Sequence, residues 1–212
     1  MAVLIMAVCR PVISNYKVSV SLGHNKNIRN KVLELEKNDA EWRKATNRLP
    51  HKKQCSFFIL RELNDYARKA VFTVFYSGHI NITKLKTLKD VELASYYICK
   101  RLNVSQSHPR IDNITASGKL NLRGSVNKLK QICDYLAKRR NKCDIKSVSF
   151  DTQKFPGGFI RPASLVGTTL LFNTGKYVLV GSRSVENVTH LHDWLEWAIW
   201  KATQAITARR KG

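Results

Sequence analysis

The chain has 212 residues, of which 43% are apolar, so it can bury a hydrophobic core and bulk disorder is disfavoured. Its 37 lysines and arginines against 15 acidic residues give a formal net charge of +22, which exceeds what solubility requires and points to a polyanionic partner, nucleic acid first. No apolar run approaches the ~18 residues of a membrane-spanning helix, so we expect no membrane partner.

The predicted elements of the first half follow an N-terminal arm, residues 1–11. Alternating or helical spacing of apolar residues defines them. In chain order they are a strand, a helix, three strands and a helix: Val12–Leu22, Ile28–Trp42, Cys55–Leu63, Val71–Tyr76, Ile80–Thr83 and Leu88–Leu102. Together they form a first repeat, residues 12–105.

The second half has the same order of elements. Ser125 is the predicted cap of its first helix. The elements are a strand, a helix, four strands and a helix: Ile111–Leu122, Ser125–Arg139, Ile145–Phe150, Phe155–Arg161, Thr168–Phe172, Tyr177–Val180 and Val185–Thr207. They form a second repeat, residues 106–207, followed by a basic tail, residues 208–212.

The two halves are also similar in sequence at a fixed offset. The segment Val74–Thr83 reappears as Leu171–Val180, 97 residues later (171 − 74). Such self-similarity with only two copies predicts one pseudo-symmetric body made from two halves. Short consecutive strands with long helices predict an antiparallel sheet covered on one face, and the other face is free for nucleic acid.

The motifs of the second half resemble those of the TATA-binding protein core domain. The segment from Phe155 to Arg161 is similar to the family's Phe-Pro-Gly-x-x-x-Arg, and Leu170 to Arg183 is similar to its Leu-Ile-Phe-x-Ser-Gly-Lys-x-Val-x-Thr-Gly-Ala-Lys. The first half matches at fewer positions: Asn15, Phe75, Gly78, Thr83 and Lys86. The resemblance covers about residues 12–205 and indicates a divergent member, of the kind carried by some large DNA viruses and protists.

The resemblance implies an α+β fold, a pseudo-symmetric two-repeat saddle whose curved antiparallel sheet has about ten strands, with four helices on the convex face. It implies a transcription initiation factor that binds A·T-rich, promoter-like duplexes in the minor groove and bends them. The implied location is the nucleus, or the replication factory of a cytoplasmic virus. General transcription factors or a polymerase are the implied protein partners, through the convex helices.

The resemblance also assigns roles to single residues. Phenylalanines would slip between base steps at the two ends of the saddle, Phe155 with Phe172 and Phe58 with Phe75. Hydrogen-bond donors to base edges are expected from the following: Asn15, Thr83 and Asn113. The remaining DNA-binding set consists of expected phosphate contacts and one aliphatic side chain: Arg61, Lys86, Arg161, Lys176, Arg183 and Val178.

Departures from the family pattern leave some assignments open. An alignment of the two repeats without gaps places Phe58 at the position of Phe155, as a wedge between base steps. Aligning Arg61 with the family's Arg puts Cys55 at that position instead. Val180 stands where the family's second half has Thr, so we expect the two half-sites to be read unequally. His79 replaces a Lys, and Gln153 falls at an acidic position of the segment that contacts transcription factor IIB.

Two other classes of function compete with this interpretation. The excess charge favours a non-specific architectural or packaging protein with the same fold. An enzyme is disfavoured, because the acidic residues are scattered and no nucleophile has a neighbouring base. The five cysteines lack C-x-x-C spacing and the six histidines lack paired ligands, so we expect structural thiols in a reducing compartment and neither a metal nor a cofactor.

Overall fold

The computed structural model describes residues 10–22, 27–38, 55–60, 70–122 and 126–208, with the backbone alone for 55–60 and 126–127. Its contacts divide these residues into two compact units. The N-terminal unit is residues 14–113, and the C-terminal unit is residues 114–208 together with 10–13. No helix among the described residues is long and apolar enough to cross a membrane.

The N-terminal unit is an antiparallel sheet with helices. Its strands pair in the order β2-β3-β4-β1. The elements in chain order are β1 Val12–Ser21, α1 Asn27–Asn38, β2 Cys55–Leu60, β3 Ala70–Phe75, β4 His79–Leu85 and α2 Leu88–Arg101. Helix α2 begins at a capping box, in which Thr87 accepts from the Asp90 amide at 3.1 Å and Asp90 accepts from the Thr87 amide at 3.0 Å.

The C-terminal unit has the same plan with one more strand. Its strands pair in the order β5-β9-β8-β7-β6, and every pair that the structure describes in it is antiparallel. The elements in chain order are β5 Arg110–Lys119, α3 Val126–Lys138, a 3₁₀ turn Arg140–Lys142, β6 Ile145–Phe150, β7 Gly157–Pro162, β8 Thr168–Phe172, β9 Lys176–Ser182 and α4 Val185–Ala208.

The predicted order of elements is confirmed wherever the structure describes the chain. The described residues contain nine strands and four α-helices, against about ten strands and four helices predicted. Most predicted bounds differ from the observed ones by one or two residues, and the largest difference among the described residues is in β5, which ends at Lys119 and does not reach Leu122. The Leu120 amide still bonds the Gly175 carbonyl at 2.9 Å, and the chain then turns, with the Leu122 amide bonded to the Leu120 carbonyl at 2.7 Å. Predicted features at 1–9, 39–54, 61–69, 123–125 and 209–212 lie outside the described residues.

The repeat extends to single hydrogen bonds. Gly78 has φ +87° and donates to the Phe75 carbonyl at 2.9 Å; Gly175 has φ +79° and donates to the Phe172 carbonyl at 2.9 Å. Each glycine occupies the left-handed region that a side chain would strain. Strands β1 and β5 also carry irregularities at equivalent places, after Tyr16 and after Ile114. The internal repeat is therefore a property of the backbone as well as of the sequence.

Burial alternates along the strands, so one face of each sheet forms the core. In the C-terminal unit, helices α3 and α4 cover that face, against strands β6, β7 and β9. The strands and the helices both supply fully buried residues: Ile114, Ile160, Leu171 and Leu179 from the strands, and Ile132, Leu136, Leu191 and Leu195 from the helices. In the N-terminal unit, helix α2 packs on β4, and the fully buried strand residues include Val18, Val20, Phe72, Val74, Ile80 and Ile82.

The core of the C-terminal unit contains a hydrogen-bonded polar pair. The Tyr177 hydroxyl lies 2.8 Å from His192 Nδ1, their rings stack at 5.6 Å, and both residues are buried. Gly118 makes room for them, because a Cβ there would overlap the Tyr177 ring. The pair fixes helix α4 to strand β9 at a defined point.

Three cysteines with described side chains, Cys99, Cys133 and Cys143, are buried free thiols. Burial raises the pKa of the Cys133 thiol to about 12, with a smaller contribution from Asp134. A thiol with this pKa stays protonated and unreactive at neutral pH. Cys133 is therefore a packing residue.

Candidate nucleic-acid interface

The face of each sheet opposite the core consists mainly of half-buried and exposed side chains; Ser19 and Val71 in the N-terminal unit are buried. We call these two faces the open faces. Because directly opposed residues of paired strands share a face, the register defines their members. The C-terminal open face comprises Thr115, Ser117, Ser147, Ser149, Phe159, Arg161, Thr168, Leu170, Phe172, Val178 and Val180. The N-terminal open face comprises Lys17, Ser19, Val71, Thr73, Phe75, His79, Asn81 and Thr83.

An aromatic cluster lies at one end of the C-terminal open face. The structure brings together the predicted pair Phe155 and Phe172, whose ring centroids are 5.7 Å apart, and adds Phe159 at 4.7 Å from Phe155. Phe155 and Phe172 are half-buried, and Phe159 is 37% exposed. Gly157 permits this cluster, because a Cβ there would meet Phe155 Cε1 at 2.9 Å and Phe172 Cδ1 at 3.1 Å.

Phe159 was not among the predicted site residues, although the sequence contains a signal for it. Phe159 stands two positions before Arg161 in strand β7, and residues two apart in a strand lie on the same face. Both are exposed, whereas Ile160 between them is fully buried. Alternation around Arg161 would have identified the third ring.

The predicted phosphate contacts with described side chains are all exposed. Lys176 follows the Gly175 turn, Lys86 follows β4, and Arg183 follows β9. Arg161 donates from Nε to the Thr168 hydroxyl at 3.1 Å, which positions its guanidinium over the open face. Arg61 lies outside the described residues.

The two predicted asparagines occupy equivalent strands. The Asn15 side-chain oxygen accepts from the Lys84 amide at 2.6 Å, so half of this amide is committed to the backbone and its NH₂ group is the part that can donate to a ligand. Asn113 is half-buried and directly precedes Ile114, which is fully buried. Because neighbouring residues of a strand point to opposite sides, Asn113 lies on the side away from the helices.

The first wedge position depends on the register of β2. Phe58 pairs with Phe72, whose ring is fully buried, and Cys55 pairs with Phe75. In the C-terminal unit, Gly157 pairs with Phe172. Phe75 and Phe172 are 97 residues apart, but the residues that pair with them, Cys55 and Gly157, are 102 residues apart (157 − 55). The gap-free repeat thus does not extend into β2, and the assignments of Phe58 and Cys55 remain predictions.

The N-terminal open face is more polar than its counterpart. Phe75 and Thr83 are half-buried there, as the C-terminal residues Phe172, Val178 and Val180 are. His79 lies 5.9 Å from the Phe75 ring, centroid to centroid, and its Nε2 is 3.1 Å from the Asn81 side-chain oxygen. Neither His79 nor Asn81 was among the predicted site residues. Among the described residues, no group of three or more His, Cys, Asp or Glu side chains could hold a metal ion.

The fold and these faces define a class: a two-repeat α+β protein whose antiparallel strands are helix-covered on one side and carry aromatic, aliphatic and basic side chains on the other. Residues 108–195 match the family model "Transcription factor TFIID (or TATA-binding protein, TBP)". The chain is 28% identical over 184 residues to "TATA-box-binding protein-like 1" of Entamoeba histolytica, covering 84% of this chain and 74% of that protein.

A second relative and a solved structure agree with this match. "TATA-box-binding protein 1" of Methanosarcina acetivorans is 29% identical over 125 residues, covering 56% of this chain and 63% of the relative. The structure "Methanococcus jannaschii TBP" superposes with a TM-score of 0.67 at 20% identity, over 91% of this chain and 99% of that one, which shows a shared fold. The chain is thus similar to a divergent core domain of the TATA-binding protein family, and its residues 108–195 match the model of that family.

Proposed function

We propose that this protein is a DNA-binding transcription initiation factor that binds A·T-rich duplexes in the minor groove through its open faces and bends them. The observation that carries the proposal is the cluster of Phe155, Phe159 and Phe172, which lies partly exposed at the end of a sheet face that also carries Arg161. The match to the TATA-binding protein family and the net charge of +22 support a DNA partner.

The wedge chemistry follows from the aromatic cluster. Apolar rings inserted between base steps unstack them, at a cost on the order of a few kcal/mol per step, and kink the duplex; this mode is the one that general accounts of the TATA-binding protein describe. The cost is offset when the bent duplex covers more protein surface and its phosphates release counterions. Arg161, Lys176 and Arg183 are exposed and would supply part of that charge neutralisation.

The preference for A·T pairs follows from the middle of the C-terminal open face. Leu170 and Val178 are directly paired and half-buried, so they present an aliphatic surface to a ligand. In the minor groove a G·C pair adds the guanine N2 amino group, which such a surface cannot satisfy, whereas A·T pairs present acceptors only. The NH₂ groups of Asn15 and Asn113 would donate to those acceptors.

The alternative is a non-specific architectural protein, which the net charge of +22 favours. Affinities for an A·T-rich and a G·C-rich duplex of equal length, measured at physiological salt, separate the two functions. An initiation factor of this mechanism binds the A·T-rich duplex at least tenfold more tightly. Equal affinities would establish the architectural role instead.

A protein partner is proposed at the outward side of helix α4. Trp197 and Trp200 are 40% and 50% exposed there, and Lys201 Nζ lies 4.6 Å from the Trp197 ring centroid. Large exposed aromatic residues flanked by charge are typical of protein interfaces. A polymerase subunit or a general transcription factor is the partner that an initiation factor would recruit through this side.

A further inference from the structure

The open faces differ in chemistry at one equivalent row of residues. In the N-terminal unit, the register pairs Ser19 with Asn81 and Asn81 with Thr73. In the C-terminal unit, it pairs Ser117 with Val178 and Val178 with Leu170. The offset of 97 relates Asn81 to Val178 (178 − 81) and Thr73 to Leu170 (170 − 73). The same three places in the repeat are therefore polar in one unit and largely aliphatic in the other.

Asn81 is also held in a defined orientation. Its side-chain oxygen lies 3.1 Å from His79 Nε2, and the His79 ring packs beside Phe75 at 5.9 Å. A protonated Nε2 donates to this oxygen, which leaves the amide NH₂ as the group that can donate to a ligand. His79 corresponds to Lys176 in the second repeat (176 − 79 = 97), which is exposed, so the C-terminal unit has no equivalent of this pair among its described residues.

From this geometry we infer that Asn81, oriented by His79, is a specificity-determining residue that reads base edges through a hydrogen bond, whereas Val178 and Leu170 read them by apolar contact alone. The inference rests on the proposed function and names how one of its two faces discriminates. An amide NH₂ matches the adenine N3 and thymine O2 acceptors of the minor groove. The guanine N2 amino group would present a donor to that donor and leave both without an acceptor.

The two half-sites should consequently differ in stringency. Val178 and Leu170 disfavour G·C because the guanine amino group loses its water against them. At Asn81 a G·C pair also loses the hydrogen bond that Asn81 makes with an A·T pair. A well-placed base contact is worth roughly a 5- to 150-fold discrimination against the wrong pair. The base pairs facing Asn81 should therefore tolerate G·C less well than those facing Val178.

The test is a selection on duplexes randomised across the binding site, with the parent protein and reciprocal repeat swaps. Asn81→Val should relax the preference against G·C by about 5- to 150-fold at one or two positions and leave the others unchanged. Val178→Asn, the matched control, should sharpen the preference at different positions. Both sites are half-buried strand positions, and melting temperatures check that each variant is folded; Asn81→Ala, which also lacks a side-chain donor, replaces Asn81→Val if the latter unfolds.

His79 is tested as a positioning residue by the same base preferences. His79→Phe keeps a ring beside Phe75 but has no donor, so it should relax the same positions as Asn81→Val. His79→Gln, unlike His79→Phe, keeps a side-chain donor and should keep the base preference of the parent. A merely structural His79 would change melting temperature or affinity on all sequences without changing preference at those positions.

The outcomes separate this inference from the function on which it depends. If the parent selects A·T-rich sites and Asn81→Val selects the same sites with unchanged stringency, Asn81 does not read bases and the inference is wrong. A uniform loss of affinity on every sequence would also overturn it, because it would make Asn81 a packing residue. If the parent itself selects no sequence, the proposed function fails first.

Discussion

Phe172→Ala distinguishes a ring that enters the duplex from a ring that holds the core. The first role predicts that the DNA bend is lost while the fold is kept, and the second predicts that any loss of bend follows the loss of stability. A fully buried Phe costs ~3–5 kcal/mol when it is truncated to Ala. Phe172 is half-buried and packs on Phe155 at 5.7 Å. Most of the ~1.5–3 kcal/mol of full burial, plus ~0.5–1.5 kcal/mol for the ring pair, gives an expected loss of about 1.5–4 kcal/mol.

The neighbouring residue supplies a matched control. Leu171 is fully buried in the same strand, and Leu171→Ala should cost ~2–5 kcal/mol. For a chain of this size each kcal/mol lowers the melting temperature by about 2–4 °C. Leu171→Ala should therefore melt at a lower temperature than Phe172→Ala, although its side chain lies on the helix side and touches no ligand on the open face.

The assay is the DNA bend, measured by energy transfer between dyes at the two ends of an A·T-rich duplex. All measurements are made well below both melting temperatures and at saturating protein. Phe172→Ala should shift the transfer efficiency toward that of straight duplex, while Leu171→Ala should bend DNA as the parent does. Phe155→Ala and Phe159→Ala should behave as Phe172→Ala does.

Two results would refute the reasoning. If Phe172→Ala bends DNA as well as the parent, its ring does not enter the duplex. If the loss of bend follows the loss of melting temperature across Phe172→Ala and Leu171→Ala alike, the aromatic cluster acts only through folding. If all three phenylalanine variants keep the parent bend, the wedge mechanism is wrong for this chain, whatever its fold.

Three further predictions concern charge, readout and the core. The logarithm of the affinity for duplex DNA should fall linearly with the logarithm of salt concentration, at ~0.9 per neutralised phosphate, and a slope below about two would show that the basic surplus does not serve DNA. Asn113→Ala should weaken binding to an A·T-rich site by about 1–3 kcal/mol while random DNA is bound as before; equal losses in a filter-binding titration would make Asn113 structural. Tyr177→Phe leaves the buried His192 Nδ1 without its partner, so denaturant unfolding should show a loss of ~1–3 kcal/mol. Tyr96→Phe, on an exposed residue, should change stability by less than ~0.5 kcal/mol, and similar losses for both variants would mean that the buried hydrogen bond contributes nothing.

Much of the architecture could be predicted from local patterns. Strands β6 and β8 have the predicted bounds residue for residue, because each is a short run with turn signals on both sides. The hairpins at Gly78 and Gly175 follow from glycines at the same offset, and both adopt positive φ. The pairing of Phe155 with Phe172 at one end of a sheet follows from 17 residues of chain, enough for one strand out and one back (172 − 155).

Register across a loop of different length could not be predicted. Between β2 and β3 the chain has nine residues, 61–69, whereas between β7 and β8 it has five, 163–167. A fixed offset cannot represent this difference. The offset of 97 aligns Phe58 with Phe155, whereas the backbone pairs Cys55 with Phe75, the residue equivalent to Phe172. The His79–Asn81 contact was also invisible, because an alternating strand gives the face of a side chain but not its hydrogen-bond partner.

The most direct test of minor-groove reading replaces A·T pairs by inosine·cytosine pairs throughout the selected site. Inosine lacks the guanine N2 amino group, so this duplex presents acceptors like those of A·T in the minor groove and the pattern of G·C in the major groove. The protein should bind and bend the inosine duplex nearly as well as the A·T duplex and should discriminate against the G·C duplex. If the inosine duplex is rejected as strongly as G·C, the protein reads the major groove and the account of its open faces is wrong.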